Sequence, residues 1–292
     1  MRHDLRRGAT LIVAAGLVFA LMNALIKHLS RDLPTAELLF FRNLFSLPMV
    51  LLIASRRGVI LRTKRFGGHV MRATTGLLGM SMSFAALNYL PLAEQQVLSY
   101  TQPLFITVLA IPFLGEHPGF QRWAAVVVGF AGVIIVALNQ GLLGGSGSGA
   151  PPWAYGMAVA QGLISALSTL QIRQLSATEA STTITLWQAI LMTAILFFVL
   201  PFVWVTPGWT HFALLVLLGT MGGLGQVLQT EAFASAQVSA LGPYTYCSLI
   251  WATAVGWLLF GDAPSLAMMA GAVLIVGAGL AILPGEMRRK AS

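Results

Sequence analysis

Two short segments of this chain concentrate the side chains that could hold a small molecule. One runs Gln95, Gln96, Ser99, Tyr100, Thr101, Gln102 and Pro103; the other holds Pro243, Tyr244, Thr245, Tyr246, Ser248 and Trp251. Amides, hydroxyls and aromatic rings suit stacking and hydrogen bonding, not bond breaking. Each proline removes a backbone donor, so Pro103 and Pro243 are read as kink or gating positions that turn freed carbonyls toward a ligand. Tyrosine and tryptophan also anchor helices at membrane surfaces. Tyr246 and Trp251 lie too deep in their apolar run for that role, so Gln96, Ser99, Tyr100, Tyr244, Tyr246 and Trp251 are candidate substrate-binding residues.

Further candidates come from other runs. Gln161 is central in one, Gln226 and Gln229 lie three apart on one helical face, and Met80 and Phe84 share a face four apart. Serines and threonines count for less, because they often satisfy their own helix carbonyls. Two charges complete the set. Arg42 falls about 10 Å inside its run by helix rise, five residues after Glu37. It is either an anion site or a structural charge that snorkels or pairs. Glu231 near the end of its run is the candidate coupling charge.

Enzyme chemistry is not expected. The histidines His3, His28, His69, His117 and His211 sit at the chain start or near the ends of apolar runs. None is placed for a midplane metal site or a nucleophile–base pair. The chain has no phosphate-binding glycine loop and a single cysteine, Cys247, so neither cofactor nor metal nor internal disulfide is expected.

The elements that would position these residues are membrane spans. At 57% hydrophobic, 9% charged and a mean hydropathy of +0.81, the chain lacks the charge to cover a water-soluble surface. Ten apolar runs approach the roughly 20 residues a bilayer crossing needs: 8–29, 35–54, 69–90, 93–114, 119–139, 152–173, 181–204, 210–233, 236–259 and 264–283. The net charge of +8 follows topology and calls for no nucleic-acid partner. Ten alternating spans put Arg2, Arg6, Arg7, Arg56, Arg57, Arg62, Lys64, Arg65, Arg72, Arg122, Arg173, Arg288, Arg289 and Lys290 on one side. Only Lys27 and Arg31 fall on the other. The rich side is cytoplasmic by the positive-inside rule, and both termini lie there. The first run follows three arginines, as in a signal peptide, but it is too long for a signal core and belongs to a repeat.

That repeat has a fixed shift of 146 residues. Val13-Ala14-x-Gly16-Leu17 returns as Val159-Ala160-x-Gly162-Leu163, Gly76 and Gly79 as Gly222 and Gly225, and Tyr100 as Tyr246. Lys27 falls on Arg173, and Gly115-Glu116-x-Pro118 on Gly261-Asp262-x-Pro264. The expected architecture is an all-α polytopic membrane protein of two five-helix repeats, 1–143 and 152–292, joined by a Gly/Ser linker at 144–151. An odd helix number per copy inverts the second copy in the membrane. The many glycines are expected to pack helices closely.

Tyr89-Leu-Pro91-Leu-Ala93, Leu98-Ser-Tyr100-x-x-Pro103-Leu-Phe105, Leu114-Gly115-Glu116 and Phe41-Arg42 together resemble the EamA-type family of the drug/metabolite transporter superfamily. The second copy resembles it through Trp251-Ala-x-x-x-Gly-Trp-Leu-Leu-Phe260-Gly-Asp262-x-Pro264, with Asp262 where the family usually has Glu. The resemblance implies ten helices around a central cavity, bounded mainly by the third, fourth, eighth and ninth spans, and alternating access. It is strongest to bacterial exporters of amino acids, aromatic ones included, which implies a multi-pass protein of the bacterial cytoplasmic membrane. An uncharged cavity of Tyr, Trp, Phe, Met and Gln suits zwitterions of modest size and broad specificity. Its partners would be a small molecule and the bilayer, and a monomer is compatible with this. Export of drugs or other metabolites by the same fold is the alternative, and a cationic-drug carrier should show a carboxylate in the cavity. A non-transporting scaffold or receptor is a third reading, disfavoured by the lack of any sizeable loop.

Overall fold

The computed structural model describes residues 5–56, 63–114, 120–137, 150–175, 177–179, 181–235, 241 and 244–289. Among them it is all helical. The helices are α1 (Leu5–Leu29), α2 (Thr35–Arg56), α3 (Phe66–Leu87), α4 (Leu92–Ser99), α5 (Gln102–Leu114), α6 (Phe120–Ala137), α7 (Pro152–Leu175), α8 (Ser181–Val199), α9 (Trp209–Ser235), α10 (Cys247–Phe260) and α11 (Leu266–Arg289). A 3-10 turn, Leu200–Phe202, extends α8. Helix is what a long apolar run must form in lipid, where no water satisfies an unpaired backbone group. Leu5–Leu29, Thr35–Leu52, Thr183–Phe202 and Trp209–Ala232 are long and apolar enough to cross a membrane. The outer surface carries large exposed side chains such as Phe197, Phe198, Leu258 and Val273, a liability in water and a fit to lipid.

The predicted span 93–114 is two helices, α4 and α5, parted at Tyr100 and Thr101. The break therefore precedes Pro103. That proline sits in the first turn of α5, where its missing N–H leaves no helical bond unmade. The end of α4 tightens into i to i+3 bonds, Tyr100 N to Val97 O and Thr101 N to Leu98 O, both 3.1 Å. Hydroxyls cap its last carbonyls: Ser99 Oγ donates to Gln96 O and Thr101 Oγ1 to Leu98 O, both at 2.7 Å. In the span 236–259, a turn at Tyr246 parts residues 244–245 from α10. Pro243 lies outside the described residues, as do Gly144–Gly149 of the linker.

The most extensive helix contacts all join residues before 138 to residues after 151. α1 packs on α9, α3 on α7, α2 on α8 and α9, and α6 on α11. The contacts repeat at the 146-residue shift. Gly79 lies against Ile164 and Ser165, while Gly225 lies against Phe19. Gly16 lies against Ser248, while Gly162 lies against Thr101 and Gln102. Two apolar clusters flank this centre, one around Leu29, Leu38, Leu39, Leu87 and Leu218, the other around Leu98, Val136, Ala158 and Ile275. Lipid is as apolar as these side chains, so close packing holds the helices together, and glycine allows it.

One ion pair ties both halves at a helix end. Lys27 Nζ lies 2.9 Å from Asp262 Oδ2, donates to Leu90 O at 3.1 Å and sits 4.9 Å above the Phe260 ring. Gly261 closes α10 with φ 71°, a left-handed turn that glycine adopts without strain and that directly precedes Asp262. The pair is only partly exposed. Asp262→Asn should therefore lower stability by about 2 kcal/mol, between the exposed and fully buried limits. Thermal unfolding in detergent checks this, and adding Lys27→Met to Asp262→Asn should recover part of the loss.

Candidate functional site

The two helix breaks meet. Tyr100 and Tyr246 rings stand edge to face with centroids 4.8 Å apart. Tyr100 Oη and Ser248 Oγ share a hydrogen bond of 2.6 Å, and Gln96 Nε2 donates to the same Ser248 oxygen at 3.3 Å. Ser248 Oγ donates to Thr245 O at 2.8 Å, so the hydroxyl network also satisfies a carbonyl freed by the break. The position of Ser248 answers to Gln102 at the 146-residue shift, and Gln102 Nε2 donates to Thr169 Oγ1 of α7 at 2.8 Å.

Two cavities lie near this junction, one walled by both tyrosines and the other adjoining it through Gln96. The larger, about 400 Å³, is lined by α1, α2, α3, α7 and α8 together with Gln96 and Gln102. The other, about 320 Å³, lies between α1, the α4–α5 break, Gln229 of α9 and residues 245–248. Phe19, Gln96 and Gln102 line both, so a thin partition separates the two. Each volume is within the roughly 300–1,000 Å³ of small-molecule sites. A third space of about 30 Å³ sits behind Arg42, beside Gln188 and Gln226.

The sequence-predicted residues distribute as follows. Met80, Phe84, Gln96 and Gln161 line the larger cavity, with Arg42. Gln96, Ser99, Tyr100, Pro103, Gln229 and Tyr246 line the second. Gln226 reaches only the small space. Tyr244 is exposed, and Glu231 is half-buried near the end of α9; neither lines any of these three spaces. Trp251 also lines neither cavity: it packs against the apolar cluster of α1, α2 and α3, with its indole Nε1 buried and unpartnered. A ring used for packing and making no hydrogen bond gives a clear expectation. Trp251→Ala should cost about 3–5 kcal/mol of stability, whereas Trp251→Phe should keep the thermal unfolding midpoint near that of the wild type.

The lining is not uncharged, as the sequence reading has it. Arg72, counted there with the cytoplasmic charges, sits in the second turn of α3 with only 9% of its surface exposed, and lines the larger cavity with Arg42. Arg72 Nη1 donates to Ser168 Oγ at 3.3 Å, and Ser168 Oγ donates to Thr75 Oγ1 at 3.1 Å. Thr75 Oγ1 donates to Gln171 Oε1 at 2.7 Å. No carboxylate lines any of the three cavities. Among the described residues, no group of histidines, cysteines and carboxylates is placed to hold a metal ion. Gln188, Phe19 and Met22 are further lining residues that residue type alone does not single out. The repeat carries a signal for Gln188, which stands 146 residues after Arg42.

Comparison with known proteins places this geometry. The EamA-like transporter family matches residues 6–138 and, separately, residues 152–283. A riboflavin transporter of Rhizobium johnstonii is 34% identical over 291 residues, covering 97% of this chain and 93% of its own. A pseudopaline exporter of Pseudomonas aeruginosa is 29% identical, covering 95% and 96%. An S-adenosylmethionine uptake transporter of Rickettsia bellii is 28% identical, covering 90% and 88%. One crystal structure superposes over all of both chains with a TM-score of 0.64 at 20% identity, a likeness of fold alone.

Proposed function

The chain belongs to the EamA-like transporter family, and from that premise we propose that it exports amino acids and similar amphipathic metabolites, aromatic ones included, with broad specificity. The substrate occupies the central cavities, and access alternates as the two helix breaks part and close. The observation that carries this reading is the meeting of Tyr100 and Tyr246, repeat partners from two broken helices, in the wall of one ligand-sized space that adjoins a second. Rings and amides at that junction can stack on a side chain and hold a polar end.

Residues 1–143 and 152–292 act as two inverted five-helix copies around a pseudo-twofold axis, joined at 144–151. The repeated glycine contacts support this, since two unrelated halves would not reuse equivalent neighbours. The excess of Lys and Arg on one side supports a cytoplasmic place for both termini. A second reading, carriage of other metabolites, draws support from the similar riboflavin, pseudopaline and S-adenosylmethionine transporters. Cationic drugs are disfavoured because, among the described residues, no carboxylate lines either cavity.

Proteoliposomes holding the purified protein test the reading with labelled phenylalanine, threonine, riboflavin, S-adenosylmethionine and a lipophilic cation. Saturable flux of the amino acids is expected. Flux of the cation alone would contradict the substrate class, and flux of none would contradict the transport function.

A further inference from the structure

We infer that Arg42 and Arg72 together form an oxyanion subsite in the larger cavity, so that the transported molecule carries a carboxylate or a phosphate. This rests on the transporter reading and names its substrate class. Both guanidinium groups are held inside the molecule without an opposite charge. Arg42 Nη1 has only a 3.4 Å contact with Asn43 Oδ1 and a 3.8 Å contact with Met80 Sδ. Arg72 has the single bond to Ser168. The Nε of each is buried without a partner. Among the described residues, Lys27 pairs with Asp262, His211 Nε2 lies 3.4 Å from Asp32 Oδ2, and neither arginine meets a carboxylate.

A charge in this position marks a ligand path unless it snorkels to the interface or pairs with a neighbour. Buried, unpartnered Nε atoms oppose snorkelling, and the missing carboxylate opposes pairing. What remains unmet is the guanidinium fork, whose geometry matches carboxylate and phosphate oxygens.

Two glycines seat the forks. A methyl group at Gly76 would meet Arg72 Nη1, and one at Gly222 would meet Arg42 Nε. These glycines are repeat partners. Along α3, Gly76 beside Arg72 and Met80 beside Arg42 are one turn apart, about 6 Å. The two cations therefore line one cavity at neighbouring levels along α3. The second copy has Gln188 at the place of Arg42 and Leu218 at the place of Arg72. The charge thus lies on one side of the pseudo-twofold axis and orients an asymmetric substrate.

The test melts detergent-solubilised full-length protein in sodium succinate, sodium phosphate and sodium chloride at equal ionic strength. Succinate or phosphate is expected to raise the melting temperature, and which of the two does so identifies the oxyanion. In Arg42→Gln and Arg72→Gln the half-saturating concentration should rise roughly tenfold or more, as loss of a charged hydrogen bond implies. Should a glutamine variant not fold, protection of both wild-type arginines from phenylglyoxal by the same anions, read by peptide mass spectrometry, decides in its place. Equal melting in all three salts without protection, or an undiminished shift in folded variants, overturns the subsite. Uptake of phenylalanine and phenylalaninamide separates the two claims. Flux at equal rates with no anion shift overturns the subsite and leaves the transporter standing; an anion shift with no flux of any solute does the reverse.

Discussion

Tyr100→Ala should lower substrate flux by at least about tenfold, some 1.4 kcal/mol of barrier, while the protein still reaches the membrane. The side chain is the joint between the two broken helices. It holds the 2.6 Å bond to Ser248 Oγ, a 3.4 Å contact with Thr245 O and the edge-to-face contact with Tyr246. Truncation removes all three and opens space in the second cavity, at the edge of the apolar cluster around Leu98 on which the Tyr100 ring packs. Tyr100→Phe keeps the ring contact and loses only the hydroxyl network, so it should cost roughly two- to fivefold, as one or two neutral hydrogen bonds imply. Initial uptake rates in proteoliposomes at matched protein density check both. Wild-type rates in Tyr100→Ala would remove the junction from the mechanism.

The second large effect is structural. α6 and α11 pack through glycines: a Cβ at Gly132 would sit 2.8 Å from the Gly271 carbonyl oxygen and 2.9 Å from Leu274 Cβ. One obstacle is backbone, so no side-chain rotation relieves it. Gly132→Val should destabilise the protein by about 3 kcal/mol, the upper range of overpacking, with a matching fall in membrane yield. Gly277 on the same α11 has nothing within 4 Å of its would-be Cβ, so Gly277→Ala should keep or slightly raise stability. Thermal unfolding of the two variants side by side reads the difference, and equal midpoints would contradict the close α6–α11 contact.

The facing of the two breaks was legible in the sequence, because Tyr100 and Tyr246 share a register and both lie near a proline in a polar patch. The place of the first break was not. A proline in the first turn of a helix is compatible with the helix, and the rupture falls two residues earlier, where hydroxyl side chains cap the carbonyls. Arg72 was misread because charge near the end of an apolar run looks the same whether it points to the headgroups or inward; only the side chain's path to Ser168 decides. Trp251 shows the converse. Its depth separates it from interfacial anchors, but depth alone does not distinguish a cavity wall from a packed core. Gln188 carried a readable signal, since it occupies the repeat position of Arg42.

The central claim is that the cavity at the α4–α5 break opens alternately to the two faces of the membrane. Ser99 lines it and is replaced by cysteine with little change in size, after Cys247→Ser removes the native thiol. Membrane vesicles of both orientations are then treated with a membrane-impermeant thiol reagent, with and without a transported substrate. Labelling of Ser99→Cys from both faces, slowed by substrate on each, is the result this account predicts. Labelling from one face alone, or labelling that substrate leaves untouched, would contradict it.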